Sequence, residues 1–202
     1  MWKIPSLFER EPNSKRNVID KVNPECEWVM YGYGDATVKF DGTACIYWWL
    51  QGDMKPILCK RMHVKEGDEA PSEWKHWSGV RSSHGHGWVP IGDGPEDRWH
   101  REGQNNTTPD PLSTTYELVG PKIQSNPYRL EHHELWRHDS EVITLEPKRD
   151  YNSIKTYLET AGIEGIVYHH KDGRMAKIKS RDFGIDWVGV RRKLKTEGAN
   201  IS

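Results

Sequence analysis

Four short peptides carry groups that could do chemistry together. In chain order they are Lys39-Phe40-Asp41-Gly42, Glu117-Leu118-Val119-Gly120, Glu164-Gly165-Ile166-Val167 and Lys177-Ile178-Lys179. They supply one candidate nucleophilic amine, two carboxylates and two further amines. That set suits transfer of a nucleoside monophosphate from a triphosphate to a lysine. A lysine attacks phosphorus only as the neutral amine, so such a site must work by burial or by neighbouring cations. Lys177 and Lys179 would supply those cations and offset charge on the phosphates. Glu164 offers hard carboxylate oxygen to a magnesium ion. Glu117 could accept hydrogen bonds from ribose hydroxyls.

Each peptide also has an ordinary reading. A lysine two residues before Asp-Gly can simply precede a turn, Glu164-Gly165 can be a helix-to-strand junction, and spaced lysines are common on edge strands. It is the ordered set that points to chemistry.

The elements that must position these groups are mostly strands. Thr37–Phe40, Ala44–Leu50 (rich in β-branched and aromatic residues) and Pro56–Arg61 read as strands, with Asp41-Gly42 as a hairpin turn between the first two. In extended backbone Lys39 and Asp41 share a face. Thr115–Val119, Ile163–His169 and Met175–Lys179 are further strands, the last two joined by a hairpin at Asp172-Gly173. The strongest helix covers 152–161, capped by Asn152 or Ser153, with Ile154, Tyr157 and Leu158 on one face and Gly162 as its stop. Residues 1–35 read as an irregular N-terminal extension broken by Pro5, Pro12 and Pro24. Residues 62–112, polar and rich in Gly, Pro, His and Trp, read as a long insertion of loops and short elements. The expectation is a single domain over 1–202.

Composition narrows the classes. The 202 residues carry a formal net charge of −1, which removes the simple argument from basicity to nucleic acid. Charge is uneven, however: Lys171, Arg174, Lys177, Lys179, Arg181, Arg191, Arg192, Lys193 and Lys195 form a local positive stripe. Ten tryptophans make a sizeable core feasible. No apolar run is long enough to cross a membrane, and the N-terminus does not read as a signal peptide. Cys26, Cys45 and Cys59 lack metal-ligand spacing and are odd in number, so reduced thiols in a cytoplasmic protein are expected. His84-x-His86, His132-His133 and His169-His170 lack the spacing of a zinc site, and adjacent pairs on a strand face opposite ways.

The four peptides, in this order, resemble the nucleotidyltransferase motifs of the covalent superfamily of RNA ligases, DNA ligases and mRNA capping enzymes. The likeness is greatest to ATP-dependent 5′–3′ RNA ligases of the vertebrate type. It is carried by Lys39 to Cys45, by Glu117-Leu118-Val119-Gly120 with Ile123, Asn126-Pro127-Tyr128 and Leu130, and by Ile163 to Lys177. Gly87-Trp88-Val89-Pro90 adds to it. The resemblance implies an α+β fold of two antiparallel sheets flanked by helices, with the nucleotide between them. It implies ATP and Mg2+ (or Mn2+) as cofactors, and RNA with 5′-phosphate and 3′-hydroxyl ends as the partner of a monomeric enzyme. It implies Lys39 as the AMP-accepting nucleophile and Glu164 as the metal ligand. Glu117 would hold the ribose, Arg61 the ribose or RNA phosphate, and Lys177 and Lys179 the α-phosphate, with Asp41 and Gly42 beside the nucleotide. Many relatives carry an acidic residue where Val38 stands here, so base selection would rest on backbone groups at Val38. The short stretch beyond the last motif implies no appended OB-fold. A protein of this fold that binds nucleic acid, or nucleotidylates itself, without sealing strands is the alternative.

Overall fold

The computed structural model describes residues 4–14, 16–48, 56–76, 84–108, 115–189 and 191. The chain is a mixture of antiparallel strands and few helices. In order these are β1 (Phe8–Arg10), β2 (Val18–Val22), α1 (Glu27–Met30), β3 (Asp35–Lys39), β4 (Thr43–Trp48), β5 (Ile57–Val64), β6 (Lys75–His76), β7 (Gly85–Pro90), α2 (Arg98–Asn105), β8 (Thr115–Val119), β9 (Glu134–Arg137), α3 (Tyr151–Ala161), β10 (Gly165–His169) and β11 (Met175–Lys179). They fall into two compact units. One takes the described residues within Lys3–Phe40 and Asp139–Ser202, the other those within Asp41–His138.

The first unit is built on a three-stranded antiparallel sheet of order β11-β10-β3. Alternation gives it two different faces. Ala36, Ile166, Tyr168, Ala176 and Ile178 turn inward and pack with Leu7, Phe8, Ile154 and Leu158. Lys39, Lys177 and Lys179 take the other face. Helix α3 supplies Ile154 and Leu158, one turn apart and fully buried. Its cap is Asp150, not Asn152 or Ser153: the Asp150 carboxylate accepts the Ser153 N–H at 2.9 Å. Asp150 precedes the helix in extended backbone, the conformation from which a short carboxylate reaches the free first-turn amides. Gly162 ends the helix in the left-handed region at φ 63°, as its position suggested. The Asp172-Gly173 hairpin is present, with Gly173 at φ 90° and β10 paired to β11.

The N-terminal extension is not irregular. β1 and β2 pair antiparallel, Pro24 opens a 3₁₀ turn, and Leu7, Phe8, Val18, Cys26, Trp28 and Val29 lie in the core. The prolines sit where no sheet amide is needed. Pro5, for instance, contributes a carbonyl, which accepts the Lys177 N–H at 3.0 Å.

The second unit is a six-stranded antiparallel sheet of order β6-β7-β5-β4-β8-β9. One face carries Cys45, Tyr47, Leu58, Tyr116, Leu118 and Leu135, covered in part by Trp99 of α2. Gly103 brings that helix close: a Cβ there would stand 2.7 Å from Leu118 Cδ1. The opposite face, by register, carries Ala44, Cys59, Arg61, Trp88 and Glu117. Region 62–112 contributes more regular structure than its composition announces, including the internal strand β7 and helix α2.

Asp41-Gly42 is not a hairpin. β3 pairs with β10, and β4 pairs with β5 and β8, so the flanking strands enter different sheets. Gly42 is needed for close approach instead of turning. A Cβ there would land on the Leu118 carbonyl oxygen and within 2.8 Å of Glu117 Cγ.

Candidate functional site

In the three-stranded sheet, register brings the amines together. Gly165 on the central strand lies opposite Lys39 on one side and Lys179 on the other, and Val167 lies between Thr37 and Lys177 in the next row. Gly165 carries no side chain, so the two flanking lysines converge over it. A Cβ would strike the Ile178 carbonyl oxygen and stand 2.9 Å from Lys179 Cα.

Glu164, one residue before β10, is the hub. It is 3% exposed. Its Oε2 accepts from Lys39 Nζ and its Oε1 from Lys179 Nζ, both at 2.6 Å. Lys39 Nζ also donates to the Phe40 carbonyl at 3.0 Å. The backbone of Glu164 is held as well: its carbonyl accepts the Ser180 N–H, and the Ser180 hydroxyl donates to the Ile163 carbonyl, both at 2.8 Å.

Two amines thus share one buried carboxylate, and a third, Lys177, lies in the adjacent row. Burial, then the Lys179 and Lys39 charges, pull Lys177 down to about 8, against the opposing pull of Glu164 and Asp182. Lys179 is also lowered, first by burial and then by Lys39, with Glu164 opposing. Such a surplus of buried positive charge is costly by itself. It is useful where a polyphosphate will neutralise it.

In the six-stranded unit, Glu117 is buried and both its oxygens are engaged. Oε1 accepts the Gly42 N–H at 3.0 Å and Oε2 lies 2.7 Å from His138 Nε2. The preceding amide, Asp41 N–H, donates to the Tyr128 hydroxyl at 2.6 Å. Tyr128 packs its ring on Trp136 at 4.7 Å between centroids. Two successive amides are therefore clamped by a carboxylate and a phenol. Each Glu117 oxygen has a second lone pair, so a ribose hydroxyl can still be accepted.

The structure groups Lys39, Glu164, Lys177 and Lys179 in one unit. Asp41, Gly42, Glu117 and Arg61 belong to the other, where Arg61 stands exposed on β5 opposite Trp88. Asp41 follows the end of β3, so the strand alternation that would pair it with Lys39 stops short of it. The Val38 amide is spent on the Glu141 carbonyl at 2.9 Å. Of the positive stripe, Arg192, Lys193 and Lys195 lie outside the described residues. Lys177 and Lys179 are drawn into the site, while Lys171 and Arg174 are exposed at the hairpin. Sequence reasoning missed two residues. His138 sits just past a short strand with no local signature. Asp182, 2% exposed, accepts the Lys179 N–H at 3.1 Å; its three-residue spacing from Lys179 was the available signal.

Glu164 presents the hard carboxylate oxygens that a divalent cation takes, and both of them accept from lysine ammonium groups. Among the described residues no cluster of three or more His, Cys, Asp or Glu side chains could cage a metal. A single carboxylate can serve Mg2+ only where water and substrate phosphate supply the other ligands. Of the adjacent histidine pairs, His133 stacks on Trp99 and is held by Glu102 at 2.9 Å. Among the described residues no helix is long and apolar enough to cross a membrane.

Comparison with known proteins points to RNA ligases. A family model described as RNA ligase 1 matches residues 100–202, half of the chain. RNA ligase 1 of Danio rerio is 28% identical over 229 residues, covering 80% of this chain and 70% of the relative. RNA ligase 1 of Mus musculus is 26% identical, covering 75% and 67%. RNA ligase 1 of Pongo abelii is 28% identical, covering 70% of this chain and 52% of that protein.

Proposed function

The chain belongs to the RNA ligase 1 family, and we propose that it is a ligase joining RNA ends through a nucleotide held covalently on Lys39. The observation that carries this reading is the buried Glu164 carboxylate bridging Lys39 and Lys179, with Lys177 in the adjacent row. The three-stranded and six-stranded antiparallel sheets are read as a nucleotidyltransferase fold, with β1-β2 as an added pair.

In the first step the neutral Lys39 amine attacks the α-phosphorus of ATP. A P–N bond forms, the bond to the bridging oxygen breaks, and pyrophosphate leaves. Lys39 must first give up its ion pair with Glu164 and release its proton to solvent, which the positive charge of Lys177 and Lys179 favours. Lys177 and Lys179 hold the α-phosphate and stabilise charge on it as the new bond forms. A Mg2+ or Mn2+ ion on Glu164 would supply further neutralisation of the phosphates. In the second step the RNA 5′-phosphate oxygen takes the AMP and frees Lys39. In the third, a 3′-hydroxyl attacks the RNA phosphate and AMP departs. Glu117 would hold the ribose, and Arg61 the ribose or the RNA phosphate.

Intact mass after incubation with ATP and Mg2+ tests the first step. The expected result is a gain of one AMP that Lys39→Ala abolishes. Sealing of a nicked, 5′-phosphorylated RNA tests the rest. Labelling by GTP but not ATP would change the nucleotide assigned. AMP transfer without sealing would leave a nucleotidylating protein in place of a ligase. No adduct with either nucleotide would refute the reading.

A further inference from the structure

The two-lysine strand is braced from outside the motifs. β11 lies at the edge of its sheet, and the N-terminal segment runs beside it. Lys177 N–H donates to the Pro5 carbonyl at 3.0 Å, and Leu7 N–H donates to the Lys177 carbonyl at 2.7 Å. Ser6 forms a parallel bridge to the same residue. Both backbone groups of Lys177 are thus bound by one short stretch.

That stretch continues into β1, whose last residue is Arg10. Its guanidinium nitrogens Nη1 and Nη2 each lie 3.4 Å from Asp182 Oδ1. The other oxygen of Asp182, Oδ2, accepts the Lys179 N–H. The Asp182 side chain is 3% exposed and that of Arg10 is 41% exposed. Arg10 also donates to the Arg16 carbonyl at 2.5 Å, and together with the Lys179 amide it offsets the cost of burying the Asp182 carboxylate. Asp182 also adds negative charge beside Lys177.

We propose that Arg10 and Asp182 are positioning residues for the Lys177–Lys179 pair, acting through the Lys179 amide to fix where the two amines meet the phosphate. The proposal rests on the nucleotidylation reading above. Neither side chain touches the reacting atoms. Their effect is on alignment, where a displacement of about 1 Å can cost on the order of a hundredfold in rate. Arg10 reaches Asp182 from the far end of the chain, so the motifs alone do not contain the whole positioning apparatus.

The test measures Lys39 nucleotidylation by wild type, Arg10→Ala, Arg10→Lys, Asp182→Asn and the double variant Arg10→Ala/Asp182→Asn. Expected is a fall of about tenfold in the rate at saturating ATP for Arg10→Ala and Asp182→Asn, with KM for ATP changed less than about twofold. Arg10→Lys recovers most of the rate. The double variant is no slower than the slower single variant, since both act through one contact. Ile154→Val, a core change on the other face of the sheet, serves as the stability control. It lowers the melting temperature without slowing labelling. Wild-type rates in folded Arg10→Ala and Asp182→Asn, a loss confined to KM, or equal slowing by Ile154→Val would each overturn the proposal. If Arg10→Ala does not fold, Asp182→Asn decides alone. A wild-type protein that takes up no nucleotide refutes the functional reading itself. Labelled wild type with unaffected variants refutes the positioning role alone.

Discussion

Replacing Lys177 by Met should stabilise the fold at neutral pH while it impairs nucleotidylation. Burial and the neighbouring amines bring Lys177 from its ordinary 10.5 down to about 8. Below pH 8 both the folded and unfolded chains hold the proton, and the folded state bears the full penalty of burying that charge. Between pH 8 and 10.5 the folded state sheds its proton first, so stability climbs with pH. Above 10.5 both states are neutral and the penalty is gone. The difference between 10.5 and 8 corresponds to about 3 kcal/mol, and to about 1–3 kcal/mol after solvent screening. For a chain of this size that is roughly 2–12 °C in melting temperature. Met preserves the length and the apolar stem without the charge. Thermal unfolding followed by circular dichroism at pH 7 and pH 10.5 reads the effect as the difference between variant and wild type. The gain should be present at pH 7 and shrink towards zero at pH 10.5. A variant no more stable than wild type at pH 7, or a gain independent of pH, would refute the reasoning that the site stores unfavourable positive charge.

Further outcomes follow from single contacts. Gly165→Ala should destabilise by about 1–3 kcal/mol, because its Cβ meets the Ile178 carbonyl oxygen, and urea unfolding would measure it. The same variant should label Lys39 more slowly, since Gly165 separates Lys39 from Lys179 in register. Tyr128→Phe removes the acceptor of the Asp41 amide and should cost about 1–3 kcal/mol in urea unfolding. Asp150→Ala should lower the melting temperature through loss of the α3 cap, with Lys39 labelling unchanged well below the transition.

The sequence by itself determined the chemistry on offer and most of the local structure. Lysine–apolar alternation in Lys177-Ile178-Lys179 fixed which groups share a face, since side chains in a strand point alternately to either side. The Ile154–Leu158 periodicity and Gly162 located α3, and Asp172-Gly173 located the β10–β11 hairpin. These are short-range effects, set within a few residues of backbone. Tertiary structure decided the partners. No local rule could show that β3 pairs with β10 while β4 joins another sheet, which turns Asp41-Gly42 from a supposed hairpin into a crossing between sheets. Nor could spacing show that Glu164 binds Lys39 across 125 positions, or that Arg10 meets Asp182 across 172. Those contacts depend on strand order and burial. Their energies come from desolvated charge that exists only once the core has closed around it.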